Sequence, residues 1–313
     1  MVNRFENAFI KKKHPLKLER LEMNMSNDEL RSQEPKKDYL MSDATADVPQ
    51  EIEVEDPNYK PAEKLKGKNT IVTGGDSGIG QATAIAFAKE GANVAIVYYE
   101  NDEDADKTKN RLEEIGVQAL AFKGDVGNEE FAKDVVKQVA DAWGQIDVHV
   151  NHAGEQHVQE KLQDVTAEQI DRTFRTNVYS MYYFVKAVYP HMPKGGSIIN
   201  TASITAYQGN PLFLDYSATN GAIVSFTRSL SQHPEILEKE IRVNGVAPGP
   251  IMTPMIPATF DEEKLKTWGK SGPFGRPGKA YELAGAYVYL ACSDSSYVSG
   301  QVLHVDGGEF TTS

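Results

Sequence analysis

Residues 73–80 read Thr-Gly-Gly-Asp-Ser-Gly-Ile-Gly (TGGDSGIG) and stand between two different sequence patterns. The β-branched run Asn69–Thr73 before them predicts a strand, and the pattern over residues 79–90 predicts a helix. Glycines at a strand-to-helix junction allow a tight turn and a close approach to a phosphate, and the helix N-terminus supplies amide donors and a favourable dipole. This context predicts a phosphate-binding loop. Its candidate binding residues are Gly74, Ser77, Gly78, Ile79 and Gly80.

The same alternation of short β-branched runs and longer helical patterns continues to the C-terminus. The predicted strands are Asn69–Thr73, Asn93–Tyr98, Gln118–Lys123, Ile146–Asn151, Gly196–Thr201, Arg242–Val246 and Val302–Val305. The predicted helices lie near residues 79–90, 103–115, 128–143, 167–191, 215–232 and 280–292. Such alternation implies right-handed crossovers and a parallel sheet. We therefore predict an α/β protein, with a doubly wound parallel sheet of about seven strands in a single domain over residues 63–313.

An N-terminal segment of different composition precedes this domain. Residues 26–62 are rich in Asp, Glu, Pro and Ser and poor in apolar residues, so they cannot bury enough surface to order themselves alone. We predict a polar, largely disordered extension over residues 1–62. For residues 46–62 the alternative is an arm that lies across the domain or a neighbouring subunit. The anchors of that arm would be Tyr39, Ile52, Val54 and Tyr59.

The first two dozen residues have two further explanations. Residues 1–20 are basic, which is a feature of transit peptides, but Glu6, Glu19 and Glu22 argue against that interpretation. Initiation at Met23 or Met25 is an equally weighted alternative.

Charge and composition limit the partners. The formal net charge is -12 at pH 7, and an acidic protein repels phosphate backbones and anionic lipid. No apolar stretch approaches the roughly 20 residues of a membrane span. We therefore expect a small-molecule partner, with no nucleic acid and no membrane. The single cysteine, Cys292, cannot form an internal disulfide and favours a cytoplasmic location.

Five further segments follow the phosphate loop in order. They are Gly124-Asp125-Val126, Asn151-His152-Ala153-Gly154, Tyr216-Ser217-Ala218-Thr219-Asn220, Pro248-Gly249-Pro250-Ile251-Met252-Thr253 and Val305-Asp306-Gly307-Gly308. Together with TGGDSGIG, they resemble the TGxxxGIG, NNAG, YxxxK and PGxxxT motifs of the short-chain dehydrogenase/reductase family. The residues that occupy these motifs are most similar to those of a stress-associated bacterial subgroup and its plant relatives, described as glucose- or ribitol-dehydrogenase-like.

This resemblance implies a Rossmann fold and a nicotinamide dinucleotide cofactor. Beyond the phosphate loop, the cofactor-binding positions that it implies are Asp125, Val126, Asn151, Ala153, Gly154, Tyr216, Asn220, Pro248, Gly249, Ile251 and Thr253. The residues after the second strand, Tyr98–Asp104, contain no Arg or Lys to pair with a 2′-phosphate, and Ser77 stands where phosphate-preferring relatives often carry a basic residue. We therefore predict NAD, with NADP as the alternative. The acidic run at 100–104 is also compatible with a solvated helix start.

The resemblance also implies a catalytic group. In the family a serine orients the substrate, a tyrosine passes the proton, a lysine lowers the pKa of the tyrosine, and an asparagine holds a water in the proton relay. The matching positions here are Asn177, Ser203, Tyr216 and Asn220. Asn220 departs from the family, which has a lysine at this position. Free tyrosine titrates near 10, and an amide cannot stabilise the phenolate as an ammonium does. We expect weakened activity, with oxidation affected more than reduction.

Two functions remain open at this point. The first is an oxidoreductase that transfers a hydride between nicotinamide and an alcohol or carbonyl, with sugars and polyols among the expected substrates. The second is a non-catalytic dinucleotide-binding protein that serves as a scaffold or sensor. The departure at His152 has two interpretations as well, tolerated loop variation or a proton carrier, and we favour the first.

Three further expectations concern the surroundings of the site. The segment 254–276 is expected to be a lid over the pocket, with Met252, Met255, Trp268 and Phe213 as lining candidates. No metal site is expected, because the spacing of His149, His152 and His157 does not suit a ligand set. We also expect a homotetramer, because the helices at 167–191 and 215–232 carry apolar residues on more than one face and form the subunit contact in relatives.

Overall fold

The structure, a computed structural model, describes residues 52–311. The predictions on residues 1–51, including Tyr39 as an anchor and the choice of start codon, lie outside the described residues.

Seven parallel strands form one sheet in the order β3-β2-β1-β4-β5-β6-β9. Their bounds are β1 Asn69–Thr73, β2 Asn93–Tyr98, β3 Ala119–Lys123, β4 Val148–Asn151, β5 Ser197–Thr201, β6 Arg242–Pro248 and β9 Val302–Val305. Two short strands, β7 Ile251–Met252 and β8 Gly278–Lys279, pair in parallel as a separate ribbon. The prediction of a doubly wound parallel sheet is confirmed. The strand order reverses direction between β1 and β4, and loops at such a switch point form the usual ligand crevice of this architecture.

Eleven helices connect or flank the strands of the described chain. They are α1 Gly78–Lys89, α2 Asp102–Ile115, α3 Glu129–Trp143, α4 Ala167–Phe174, α5 Ser180–Val188, α6 Thr205–Gln208, α7 Leu214–Leu230, α8 Pro234–Glu238, α9 Met255–Thr259, α10 Glu262–Leu265 and α11 Tyr281–Ala291. Short 3₁₀ turns span Leu162–Asp164, Tyr189–His191 and Ser293–Ser295.

The helix predicted over residues 167–191 is interrupted. A π-helical turn, Arg175–Tyr179, separates α4 from α5 and carries Asn177. Hydrophobic periodicity does not reveal a single widened turn, because the apolar face continues on both sides of it. Such turns are frequent at functional sites, and this one places an asparagine that the sequence motifs single out.

The sheet is covered on both faces, which explains why its strands read as nearly continuous apolar runs. Adjacent residues of β1 point to opposite sides, since Val72 belongs to the core cluster with Phe87 and Tyr287 and Ile71 to the cluster with Phe184. All five side chains are fully buried. The core therefore consists of two layers, one under α1 and α11 and one under α3 and α5.

Residues 52–62 lie along the domain. The buried carboxylate of Glu90, at the end of α1, accepts hydrogen bonds from the Tyr59 hydroxyl at 2.6 Å and from the amides of Ala62 and Lys64 at 3.0 and 2.8 Å. Glu55 pairs with Lys89 and Arg111, at 2.8 and 2.7 Å. Ile52 and Val54 pack against the core. For residues 52–62, these contacts agree with the alternative of an arm that lies across the domain.

A buried histidine in β4 makes the stability of the fold sensitive to acid. His149 is fully buried, stacks on Phe184 with 5.4 Å between ring centroids, and donates one hydrogen bond from Nε2 to Asn151 Oδ1 at 2.8 Å. Its Nδ1 has no partner among the described residues. Burial lowers the pKa of His149 from 6.5 to about 4.

The unfolded chain therefore takes up a proton between pH 6.5 and 4 that the folded chain does not. Stability is present in full above pH 6.5 and falls as the pH drops toward 4. From the pKa values, His149 should cost about 2 kcal/mol of unfolding free energy at pH 5. Denaturant unfolding at pH 7.5 and 5.0 measures this loss. We expect His149→Phe to reduce the loss and His233→Gln, at an exposed position, to leave it unchanged; equal losses in all three proteins would contradict the assignment.

Candidate active site

Two loops at the switch point form a glycine cradle. Gly74 and Gly78 have positive φ angles, +65° and +53°. A Cβ on Gly80 would lie 1.9 Å from the Gly74 carbonyl oxygen, and a Cβ on Gly74 would lie 3.0 Å from the Cα of Ala153 in the loop after β4. Helix α1 begins at Gly78, and Ser77 makes no side-chain cap bond to it. The backbone amides are thus accessible at a helix N-terminus with no side chain in the way, which fits a pyrophosphate group.

A cavity of about 470 Å³ adjoins this cradle. Most of the predicted cofactor positions line it, together with the predicted catalytic group. The lining residues among them are Gly74, Ser77, Gly78, Ile79, Ala153, Gly154, Asn177, Ser203, Tyr216, Asn220, Pro248, Gly249, Ile251 and Thr253. The segments that follow β1, β4, β5 and β6 supply most of them, because the carboxyl ends of parallel strands share one edge of the sheet. Asn177 comes from the π-helical turn, and Tyr216 and Asn220 come from α7.

The remaining predicted positions lie outside the cavity wall. Gly80 packs against the Gly74 carbonyl, Val126 is part of the core, and Asp125 forms an ion pair with Arg172. Asn151 is buried within the sheet, where its Nδ2 donates to Asn200 at 2.8 Å. The position of Asn151 therefore suits a role in fixing the strand ends rather than direct contact with a ligand.

Tyr216 and Asn220 stand one turn apart on α7, facing the cavity that Ser203 also lines. Asn220 is buried, and its Nδ2 donates to the Tyr216 carbonyl oxygen at 2.8 Å. Burial raises the pKa of the Tyr216 hydroxyl, while hydrogen bonding by Ser203 and Asn220 opposes that shift in part. The result is a phenol that stays protonated at neutral pH.

Asn177 connects the loop after β4 to α7. Its Oδ1 accepts from the Glu155 amide and its Nδ2 donates to the Glu155 carbonyl, both at 2.9 Å. The same Nδ2 donates to Thr219 at 3.1 Å. Because the π-helical turn widens the helix at this point, the asparagine side chain can reach both partners. Asn177 thereby fixes α7 relative to the loop after β4.

An ion-pair network that sequence analysis missed lies beside this loop. Arg172 donates from Nε to Glu155 at 3.1 Å and from Nη1 to Asp125 at 2.6 Å. Its guanidinium also lies 5.4 Å from the ring centre of Tyr99, just beyond β2. Arg172 follows Asp125 by nearly fifty residues, so no local pattern links them. The paired carboxylates hold the pKa of the arginine high, and the arginine is part of what lowers the pKa of Glu155.

His152 packs beneath the cradle. Its Nδ1 lies 3.1 Å from the Thr201 hydroxyl, which is 2.7 Å from the Tyr287 hydroxyl. A Cβ on Gly80 would lie 2.8 Å from its ring. Burial lowers the pKa of His152 to about 4, so the ring is neutral at pH 7. These contacts favour a packing role over that of a proton carrier.

The three histidines of the sequence argument point to different neighbours. His149 stacks on Phe184, His152 lies edge-to-face with Tyr287, and His157 pairs with Glu155 at 3.3 Å. Within residues 52–311, no three His, Cys, Asp or Glu side chains are grouped at metal-binding distance.

Aromatic side chains form the far wall of the cavity. The ring centroid of Phe213 lies 6.0 Å from the centroids of both Tyr216 and Phe260, and that of Phe260 lies 6.5 Å from that of Trp268. Phe260 and Trp268 belong to the segment predicted as a lid, which includes α9 and α10. Of the predicted lining candidates, Phe213, Met255 and Trp268 line the cavity, and Met252 is instead part of the β7–β8 ribbon.

Comparison with known proteins agrees with this geometry. A family model described as enoyl-(acyl carrier protein) reductase matches residues 74–309. General stress protein 39 of Bacillus subtilis is 52% identical over 255 residues, which is 82% of this chain and 88% of that protein. Glucose and ribitol dehydrogenase of Daucus carota is 47% identical over 281 residues, 88% of this chain and 94% of that one.

A solved structure is similar as well. The short-chain dehydrogenase from Burkholderia cenocepacia in complex with NADP has 31% identity and a TM-score of 0.74, covering 79% of this chain and 99% of its own. The chain belongs to the short-chain dehydrogenase/reductase family of oxidoreductases. Its resemblance to the stress-associated and glucose/ribitol-dehydrogenase-like subgroup is confirmed, as is the expectation of a nicotinamide dinucleotide, NAD(P), as the cofactor. No helix among residues 52–311 has the length and apolar character needed to cross a membrane.

Proposed function

We propose that this protein transfers a hydride between a nicotinamide dinucleotide and an alcohol or carbonyl substrate, with sugars and polyols as the expected class. One observation carries the proposal: Ser203, Tyr216, Asn177 and Asn220 line the same cavity as the glycine cradle. A dinucleotide bound in the cradle supplies or accepts the hydride. The protein supplies orientation and a proton, which are the contributions expected of it in a cofactor enzyme.

In the direction of reduction, Tyr216 donates its proton to the carbonyl oxygen of the substrate, and Ser203 orients that oxygen by a hydrogen bond. A phenol with a raised pKa is already in the protonated state that this step needs. Oxidation instead needs the phenolate, which burial disfavours and which Asn220 cannot stabilise with a charge. The protein is therefore proposed to be a reductase first and a weak dehydrogenase.

The charges near the adenosine end favour NAD over NADP. The half-buried carboxyl of Asp76 lines the cavity, and burial raises its pKa to about 6, so it is ionised at pH 7. Arg172 and Lys123 are the cations near the end of β2, and both are already paired with carboxylates. A 2′-phosphate would meet uncompensated negative charge. The structural neighbour from Burkholderia holds NADP, so both cofactors belong in the test.

The second candidate function is dinucleotide binding without catalysis. The observation that favours it is Asn220 at the position of the lysine. Binding and turnover assays separate the two candidates. We expect fluorescence titration to give saturable NADH binding, with weaker binding of NADPH, and NADH consumption with reactive dicarbonyls, aldehydes or aldoses. Binding without turnover of any substrate would select the scaffold or sensor, and no binding at millimolar cofactor would exclude both.

We further propose a homotetramer in the cytoplasm. Of the apolar residues on the two helices predicted at 167–191 and 215–232, Phe184, Ile223, Val224 and Phe226 are buried within the chain itself. Tyr179 and Tyr182 remain 39% and 48% exposed, on the π-helical turn and on α5. They are the surface that a subunit contact would cover.

Light scattering should report about four times the 34.5 kDa chain mass at micromolar concentration. Tyr182→Asp should lower that mass, because it would bury a charge in the contact. A monomer in the unsubstituted protein would contradict the proposal.

A further inference from the structure

The charged side chains that line the cavity are few and share one sign. Asp76 lies at the glycine cradle, and Glu309 lies near the lid residues Ser271 and Trp268. Among the lining residues that the structure describes there is no lysine and no arginine. A cleft that carries one sign of charge between low-dielectric walls concentrates its field on whatever enters.

Glu309 is held in place by the C-terminal segment 306–310. The Asp306 carboxylate accepts from the amides of Gly308 and Phe310, both at 2.9 Å. A Cβ on Gly249 would lie 2.7 Å from the Cα of Asp306, so this turn is seated directly on the loop after β6. Phe310 stacks on Tyr207 with 5.4 Å between centroids. The turn therefore has fixed contacts on both sides of Glu309.

The carboxylate of Glu309 itself lies against the lid. A Cβ on Gly272 would be 2.0 Å from its Oε2, so the carboxylate is in close contact with the Gly272 backbone. None of the lysines of the lid lines the cavity, so none of them neutralises the Glu309 carboxylate there. Lys264 lies over the ring of Phe260 at 5.1 Å, Lys266 pairs with Glu263, and Lys270 is exposed to solvent.

We propose that Glu309 is a specificity-determining residue that disfavours anionic substrates relative to neutral aldehydes, ketones and polyols. The proposal rests on the oxidoreductase function proposed above. Phosphorylated sugars, sugar acids and thioesters on a phosphate-bearing carrier would be the disfavoured substrates. A carboxylate several ångströms from a bound anion in a partly solvated cleft disfavours that anion by roughly fivefold. A bound dinucleotide adds negative charge of its own at the other end of the cavity.

A tryptophan in the cavity wall allows the proposal to be tested without turnover. The chain has two tryptophans, and Trp143→Phe leaves Trp268 as the only one. In that background, at constant ionic strength, Trp268 fluorescence is quenched with iodide, an anion, and with neutral acrylamide. Glu309→Gln should raise the iodide quenching constant about fivefold and leave that of acrylamide unchanged. Glu263→Gln is the matched control, since it removes an equal charge from an exposed lid position that does not line the cavity.

An iodide response to Glu309→Gln no larger than that to Glu263→Gln would overturn the proposal. A turnover experiment adds a second readout, the ratio of kcat/KM for glyceraldehyde 3-phosphate to that for glyceraldehyde. We expect Glu309→Gln to raise this ratio about fivefold and Glu263→Gln to leave it near its original value. If the unsubstituted protein reduces no aldehyde or ketone at all, the proposed function fails, and the quenching comparison still decides whether Glu309 selects by charge.

Discussion

Asn220→Lys is expected to raise the rate of alcohol or polyol oxidation at pH 7 by more than tenfold. In the parent protein, burial raises the pKa of Tyr216 above its usual value near 10, so fewer than about one molecule in a thousand carries the phenolate at pH 7. An ammonium at position 220 would lower that pKa by two to three units, giving roughly 100-fold more phenolate before the loss of intrinsic basicity. Asn220 lines the cavity, so a longer side chain has room to extend.

The measurement is the rate of NAD reduction with a panel of alcohols and polyols between pH 6 and 10.5. Because burial raises the pKa of the parent tyrosine, the advantage of the lysine variant should persist to pH 10 and shrink only above it. Asn220→Met is the matched control, since methionine resembles lysine in length but has no charge. Tyr216→Phe should abolish the gain. Equal rates for the lysine and methionine variants at every pH would show that the protein does not use this chemistry.

Gly80→Ala is expected to weaken dinucleotide binding by at least about 100-fold. The added Cβ would lie 1.9 Å from the Gly74 carbonyl oxygen, which is backbone and cannot move without the loop. Displacement of the cradle would remove charge-assisted amide hydrogen bonds to the pyrophosphate, each contributing about 1.5 kcal/mol or more. Overpacking should also lower the free energy of unfolding by about 3 kcal/mol.

Equilibrium titration with NADH, alongside denaturant unfolding, measures both effects. Gly285→Ala is the control, because Gly285 lies in α11 and a Cβ there would have no neighbour within 4 Å. It should leave the Kd unchanged and stabilise the helix by up to about 1 kcal/mol. An unchanged Kd in Gly80→Ala would mean that the cradle is not where the dinucleotide binds.

The sheet could be predicted from the sequence almost to the residue. The bounds of β1, β2 and β9 agree with the prediction, and the others differ by two residues at most. Strands covered on both faces are rich in apolar, β-branched residues, and turn residues bound them. The candidate site was predicted differently, from the resemblance of ordered motifs to the short-chain dehydrogenase/reductase family, and several of these motifs stand at strand ends that share one edge of the sheet.

Long-range contacts and local backbone irregularities could not be predicted. Arg172 joins Asp125 to Glu155 only after α4 has packed beside the loops, and an ion pair across nearly fifty residues leaves no local trace. The π-helical turn at Arg175–Tyr179 preserves the apolar face and so preserves the periodicity. Glu309 could not be predicted, because no sequence pattern distinguishes a single acidic residue near a C-terminus. Its position against the lid depends on the turn at Asp306.

The arm formed by residues 52–62 has a practical consequence for any shortened version of this protein. Composition alone would place the first residue of an excised domain at 63. Such a cut would remove the Tyr59 hydroxyl and the Ala62 amide from the carboxylate of Glu90, a residue that is 1% exposed in the full chain, and leave that carboxylate with the Lys64 amide alone. A buried charge stripped of its partners is strongly destabilising. For expression, tagging or domain fusion, the chain should therefore begin no later than residue 52.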